Sequence, residues 1–476
     1  MKESLLRRAL RAVFGDRRSD SGFNEDEGGW NLDLMRSGMV TATLLLAIIA
    51  IVGIVYHERG RGDLHRLQNH INPGEASAPP EAPKPGGQDA VTLTRSQLMG
   101  GSTPQFLSAT VLPGRGMNVL QITAYIPGKG EIPLLASPDL EGANRILSGK
   151  GDDSHGTGSL EVGGAILAPW AGRISGTNAT AKDGEHMVTT SWSGHPLMLP
   201  LTPEEVVNGR DGVPVANGGL LLKRASDSVE TDAMPDGGVT TATFHAGDFG
   251  GHWLSDTDIQ TTVLMSGRIV EVTITAKNVG SIPEPMGLGW QPRFSVPSGE
   301  RSHIRLHIPA AKRLEIADSG SRRGDSGLPT GRFLPVDGTA YDFRARDGKP
   351  LGPDDLDTTF TDLQTGFLDN GPMFEWSDPA MGLGLRITAL DMKMQAVQVK
   401  CPLVGNFLSV VPQFNFDDPF GHEWLGDQSS RMQVLQPGQS IEWKVRLELF
   451  DPNLLSHSGD TEPGSHTPAA PASSSP

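Results

Sequence analysis

The chain has 476 residues, with 59 glycines and 36 prolines, a turn-rich composition that favours short strands over long helices. Its formal charge is −16, and ten Lys/Arg stand against nine Asp/Glu through Arg66, so the remainder carries −17. A body this acidic argues against nucleic acid and anionic lipid as its partners, and the single Cys401 excludes an intrachain disulfide or a cysteine zinc cluster.

Met39 to Tyr56 is a run of eighteen residues without a charge. As a helix rising about 1.5 Å per residue it spans roughly 27 Å, close to the hydrocarbon thickness of a bilayer. A 38-residue lead-in and the charged His57-Glu58-Arg59 that follows speak against a cleaved signal peptide, and Ala76-Ser77-Ala78 lies too far downstream to serve as its cleavage site. The expectation is an uncleaved anchor at 38–56 behind a segment at 1–37. Seven Lys/Arg precede the run and only Arg59, Arg61 and Arg66 follow closely, which favours a cytoplasmic N-terminus. That makes a single-pass inner-membrane protein with its main domain periplasmic or otherwise extracytoplasmic. Residues 57–91, proline-rich from Asn72 to Ala90, read as a tether, and 454–476 as a disordered Ser/Pro/Ala tail.

Between 92 and 453 strand patterns recur and helical ones barely appear. Ile269 to Ala276 alternates with Val270, Val272 and Ile274 on one face. Ile441 to Phe450 does so with Ile441, Trp443, Val445, Leu447 and Leu449, and Leu383 to Ile387 and His303 to Pro309 behave alike. Turn residues separate these runs at the intervals of an antiparallel sandwich. In Gly289-Trp290-Gln291-Pro292-Arg293-Phe294 the residue before proline is pushed to extended geometry. Side chains then alternate, with Gln291 and Arg293 on one face and Trp290 and Phe294 on the other.

Four stretches occur in the order of a known family. Gly163 to Ile174 resembles the early strand of the aldose 1-epimerase (galactose mutarotase) family, with its Pro-Trp and Asn-Arg-Ile. Gly-Trp-Gln-Pro-Arg-Phe at 289–294 resembles Gly-x-His-Pro-Tyr-Phe. Leu328-Pro329-Thr330-Gly331 with Gly338 to Arg344 resembles Leu-Pro-Thr-Gly and Gly-Thr-x-Phe-Asp-Phe-Arg, and Val410 to Phe420 is similar to the late Val-Glu-Pro segment. The resemblance implies an all-β supersandwich of antiparallel strands with a sugar cleft on one face, preceded here by one transmembrane helix. It also implies carbohydrate as partner and no cofactor.

Exchange of sugar anomers needs a base for the C1 hydroxyl proton and an acid for the ring oxygen. The resemblance puts the base at Val411, the acid at Gln291 and a supporting histidine at Gly218, none of which titrates. The early asparagine is Gly172. Arg173 keeps the arginine position and Asp357 falls at the sugar-holding aspartate, so Arg173, Gln291, Asp357 and Trp290 are the candidate substrate contacts. Arg173 also reads as a structural ion pair, Asp357 as a turn or cap, and Trp290 and Trp170 as core. His422 and Glu423 are candidate replacements for the lost acid and base, His155 and His245 have no assigned role, and His303 and His307 share a strand face at i, i+4. Three functions follow: a carbohydrate-binding protein with little or no turnover, an active aldose 1-epimerase with relocated acid and base, or an envelope structural or interaction protein.

Overall fold

In the computed structural model the described residues are 82–95, 102–202, 213–317, 327–366, 370–424 and 429–456. The apolar run at 39–56, the segment before it and the tail beyond 456 lie outside them. Among the described residues no helix is long and apolar enough to cross a membrane.

Alternation in the sequence becomes register in the sheet. Ile269–Asn278 and Ser440–Phe450 pair antiparallel, with Val272 opposite Val445 and Ile274 opposite Trp443, and all four side chains are fully buried. Each such side chain contributes roughly 1.5–3 kcal/mol by leaving water. These strands sit mid-sheet in a nine-stranded antiparallel sheet that extends one way through Thr257–Ser266 and Gly237–Gly247 to Ser228–Met234. The other way it runs through Leu383–Ala389, Met373–Asp378 and Arg305–His307 to Lys349–Pro350.

A second, twelve-stranded sheet carries the stretches with family resemblance. Its middle runs Asn118–Ile126, Gly164–Leu167, Gly289–Pro292, Phe407–Gln413, Ala396–Cys401 and Leu356–Leu363, with Ala310–Ile316 and Pro329–Pro335 beyond. Its strands too pair antiparallel. Side chains of both sheets, among them Ile122, Trp290 and Val410 with Val272 and Trp443, belong to one hydrophobic core.

Two expectations are corrected. His303 ends a 3-10 turn at Arg301–His303 and His307 ends the following strand, so the two do not share a strand face. The His307 ring nitrogen Nδ1 lies 2.8 Å from the Ala345 carbonyl, and among the described residues no group of three His, Cys, Asp or Glu is arranged to hold a metal. The tether also ends earlier than 91. Pro85 is buried, and Gln88 bonds the backbone carbonyl and the hydroxyl of Ser226, so this stretch belongs to the folded unit.

Candidate functional site

Gln291 precedes Pro292 and lies on the strand Gly289–Pro292, between Gly164–Leu167 and Phe407–Gln413. Trp290 points into the core, fully buried and edge-on to Phe294 at 6.2 Å, with its indole N–H donating to the Gly164 carbonyl at 3.1 Å. It is therefore a core residue rather than a platform for sugar. Gln291 faces the other way with Arg293. Gln291 Nε2 and Arg293 Nη1 both reach the Leu160 carbonyl, at 3.4 and 3.5 Å.

The positions where the family holds its proton-transfer groups do converge, and they converge on Leu160. Val411 is fully buried in a cluster with Ala165, Leu167, Ala171 and Leu222, against which Leu160 packs. Gly218 has φ +81°, and a Cβ there would lie 2.8 Å from Leu160 Cδ2 and 3.1 Å from Leu222 Cδ1. A histidine at 218 would meet both backbone strain and occupied space.

Leu160 is held in place by buried polar chemistry. It ends a 3-10 turn, Thr157–Leu160, beneath which Arg115 Nη2 donates to Asp153 Oδ1 at 2.7 Å and to Ser159 Oγ at 3.0 Å. Asn118 Nδ2 donates to the Ser159 carbonyl, and Ser159 Oγ to the Leu222 carbonyl. Arg115 and Asp153 are 2% and 5% exposed, and removing one partner of such a pair costs about 3–5 kcal/mol. The turn that closes the cleft is thus part of the folded structure.

Arg173 turns to protein partners. Its Nε donates to Asp417 Oδ2 at 2.9 Å, its backbone N–H to Asp417 Oδ1 at 2.6 Å and its Nη2 to the Gly327 carbonyl at 2.6 Å. Asp417 is 3% exposed, so this geometry carries the ion-pair reading. Gly172 stands where the family has asparagine because a Cβ at its φ of +72° would lie 2.5 Å from Asp417 Oδ1. The neighbouring Asp418 accepts from the backbone N–H and hydroxyl of Ser175, both at 2.7 Å. Burial raises the Asp418 carboxyl above its ordinary range, with the Ser175 bonds opposing.

Asp357 is not brought to this group. It is exposed and lies three strands from Gln291, roughly 14 Å at about 4.8 Å per strand. There it accepts from Gln398 Nε2 at 3.0 Å, with Lys400 Nζ at 3.7 Å. His422 and Glu423 do not replace the lost pair beside Val411. Their turn is anchored by Trp424, which packs with Leu314, Ala396 and Phe416 in a separate cluster. His245, at the surface, pairs with Asp258 at 2.9 Å, and that hydrogen bond raises its pKa.

The loop that supplies Leu222 to the closed cleft presents Leu220 to a cavity of about 410 Å³. Asn217, Lys223, Arg224, His155, His252 and Trp170 contribute to its wall. Trp170 is fully buried and stacks on Trp253 at 5.5 Å, and Trp253 stacks on Phe420 at 6.1 Å. The Trp170 indole N–H and Arg224 Nε have no hydrogen-bond partner among the described residues. Burial, then the charge of Lys223, lowers the His155 pKa, with Glu185 opposing. Sequence reasoning left His155 unassigned and missed Lys223 and His252. The one available signal was Lys223-Arg224, a basic pair in an acidic body directly after the Asn217–Leu220 stretch.

No curated protein sequence matches the chain. The aldose 1-epimerase family profile matches residues 227–448. A galactose mutarotase-like protein from Clostridium acetobutylicum has a similar structure at 14% identity and a TM-score of 0.57, over 75% of this chain and 98% of that one. The aldose epimerase homologue from C. elegans is similar at 17% identity and a TM-score of 0.51, over 76% and 99%. These likenesses give the galactose mutarotase-like fold. With the family profile matched on strands of both large sheets of that fold, over a little less than half of the chain, the chain resembles the aldose 1-epimerase family as a divergent relative.

Proposed function

We propose that the chain is a carbohydrate-binding member of this family without mutarotase turnover. Its apolar run at 39–56 would hold it at a membrane, with the β domain outside the cytoplasm. The observation that carries the reading is the burial of Val411 against Leu160 and Leu222, where a base would have to face the sugar's C1 hydroxyl. Gln291, at the acid position, donates an amide hydrogen to a backbone carbonyl and has no proton to transfer. Losing a general acid or base typically costs about 10²–10⁴-fold each. Binding then falls to the neighbouring cavity, whose size suits a small ligand and whose wall mixes rings with hydrogen-bonding groups. The anchor rests on the uncharged eighteen-residue run and its flanking charges.

The test pairs polarimetry of α-glucose and α-galactose with a glycan array on the purified chain. Expected are no acceleration of mutarotation and retention of a defined set of saccharides. Robust turnover would replace this reading with that of a working epimerase. Neither turnover nor glycan binding would leave an interaction protein built on the same fold.

A further inference from the structure

We infer that the cavity beside the closed cleft is a site for a sugar acid, a pyranose bearing one carboxylate. This deepens the carbohydrate-binding reading above and rests on it. Beyond residue 66 the chain carries −17, yet the cavity wall holds two cations, Lys223 and Arg224, and two histidines, His155 and His252. Neither cation is in an ion pair with a described residue. Lys223 Nζ donates to the Ser154 carbonyl at 2.7 Å and Arg224 Nη2 to the His245 carbonyl at 2.6 Å, both neutral acceptors. Among the described residues of the wall the one carboxylate is that of Glu185, which is exposed. Two cations against one carboxylate leave about one positive charge, which matches a single carboxylate better than a phosphate carrying nearly two negative charges.

A hydrogen-bonding group in the wall matches the rest of such a molecule. The Asn217 side-chain amide makes no hydrogen bond to a described residue and can both donate to and accept from sugar hydroxyls. A net positive wall beside the Asn217 amide selects for an oxyanion over a neutral hexose.

The experiment is isothermal titration calorimetry of the full chain with D-galacturonate, D-glucuronate, galactose, glucose and glucose 6-phosphate, beside an array carrying neutral and acidic glycans. A uronate should bind, and the matching neutral hexose should bind at least about tenfold more weakly, the worth of one charge-assisted hydrogen bond. Lys223→Gln keeps a donor for the Ser154 carbonyl while removing the charge. Asn217→Asp changes one atom and places a negative charge in the wall. Each should weaken uronate binding about tenfold or more while leaving circular dichroism and thermal unfolding unchanged. Neutral saccharides bound as well as uronates, glucose 6-phosphate preferred, or uronate binding indifferent to both substitutions would overturn the inference and leave the broader carbohydrate reading standing. Binding of no saccharide by either method would overturn both.

Discussion

Glu284 is fully buried on the short strand Glu284–Met286, where Thr257 Oγ1 donates to its Oε2 at 2.7 Å. The Trp253 indole N–H faces the same carboxyl but forms no hydrogen bond of normal geometry, which leaves Oε1 unsatisfied. Burial pushes this carboxyl up from 4.5 to about 7, against the pull of Thr257 and Trp253 and with a smaller push from Asp256. Below pH 4.5 the folded and unfolded chains both hold the proton. Between 4.5 and about 7 the unfolded chain releases it while the folded chain keeps it, so stability falls as pH rises through that window. At about 1.4 kcal/mol per unit, the loss reaches about 3 kcal/mol once both forms are ionised. Glu284→Gln keeps an acceptor for Thr257 and removes the ionisation. Urea unfolding followed by tryptophan fluorescence, for both proteins from about pH 5 to about pH 8, isolates the effect because every other titrating group cancels in the difference. The variant should gain on the natural protein by about 3 kcal/mol across that range. Parallel pH profiles for the two proteins would refute the reasoning, since Glu284 would then titrate alike folded and unfolded.

Arg173→Ala leaves Asp417 buried without its partner and should cost about 3 kcal/mol in denaturant unfolding; a loss below about 1 kcal/mol would show that the pair is not structural. The triple change Gly218→His, Gln291→His and Val411→Glu restores the family's residue types but meets Leu160 and Leu222, so polarimetry should detect no mutarotation. Activity in that variant would mean the turn at Thr157–Leu160 opens in solution. N-terminal sequencing of the membrane-bound protein should begin near Met1, and a start near Ala78 would remove the anchor. A C-terminal reporter that works only in the cytoplasm would reverse the orientation.

The chain's local patterns were sufficient for the strands and for the residue types at the positions that resemble the family's acid, base and histidine. Period-two burial at Val270, Val272 and Ile274 follows from backbone geometry, because successive side chains on a strand point to opposite faces whatever lies nearby. The same rule put Gln291 and Arg293 together, and both reach Leu160. The absence of titratable side chains at Gly218, Gln291 and Val411 was visible from residue identity once the motifs were aligned. It was less informative at His303 and His307, where a 3-10 turn interrupts the run and breaks the alternation.

Tertiary structure decided what the space between those residues contains. Leu160 comes from a Gly/Asp-rich loop 131 residues before Gln291, and Arg173 meets Asp417 across 244 residues. No short-range periodicity encodes such contacts, because they depend on where buried polar groups such as Arg115 and Asp153 find partners. The cavity has the same origin, since His155, the 217–224 loop and His252 lie on separate segments. Sequence determined which side chains point out of the sheet, and packing determined that one group of them is sealed under leucine while another lines a polar cavity. A single residue's direction is set by its own backbone dihedrals, whereas an enclosed volume exists only when several distant segments are fixed at once.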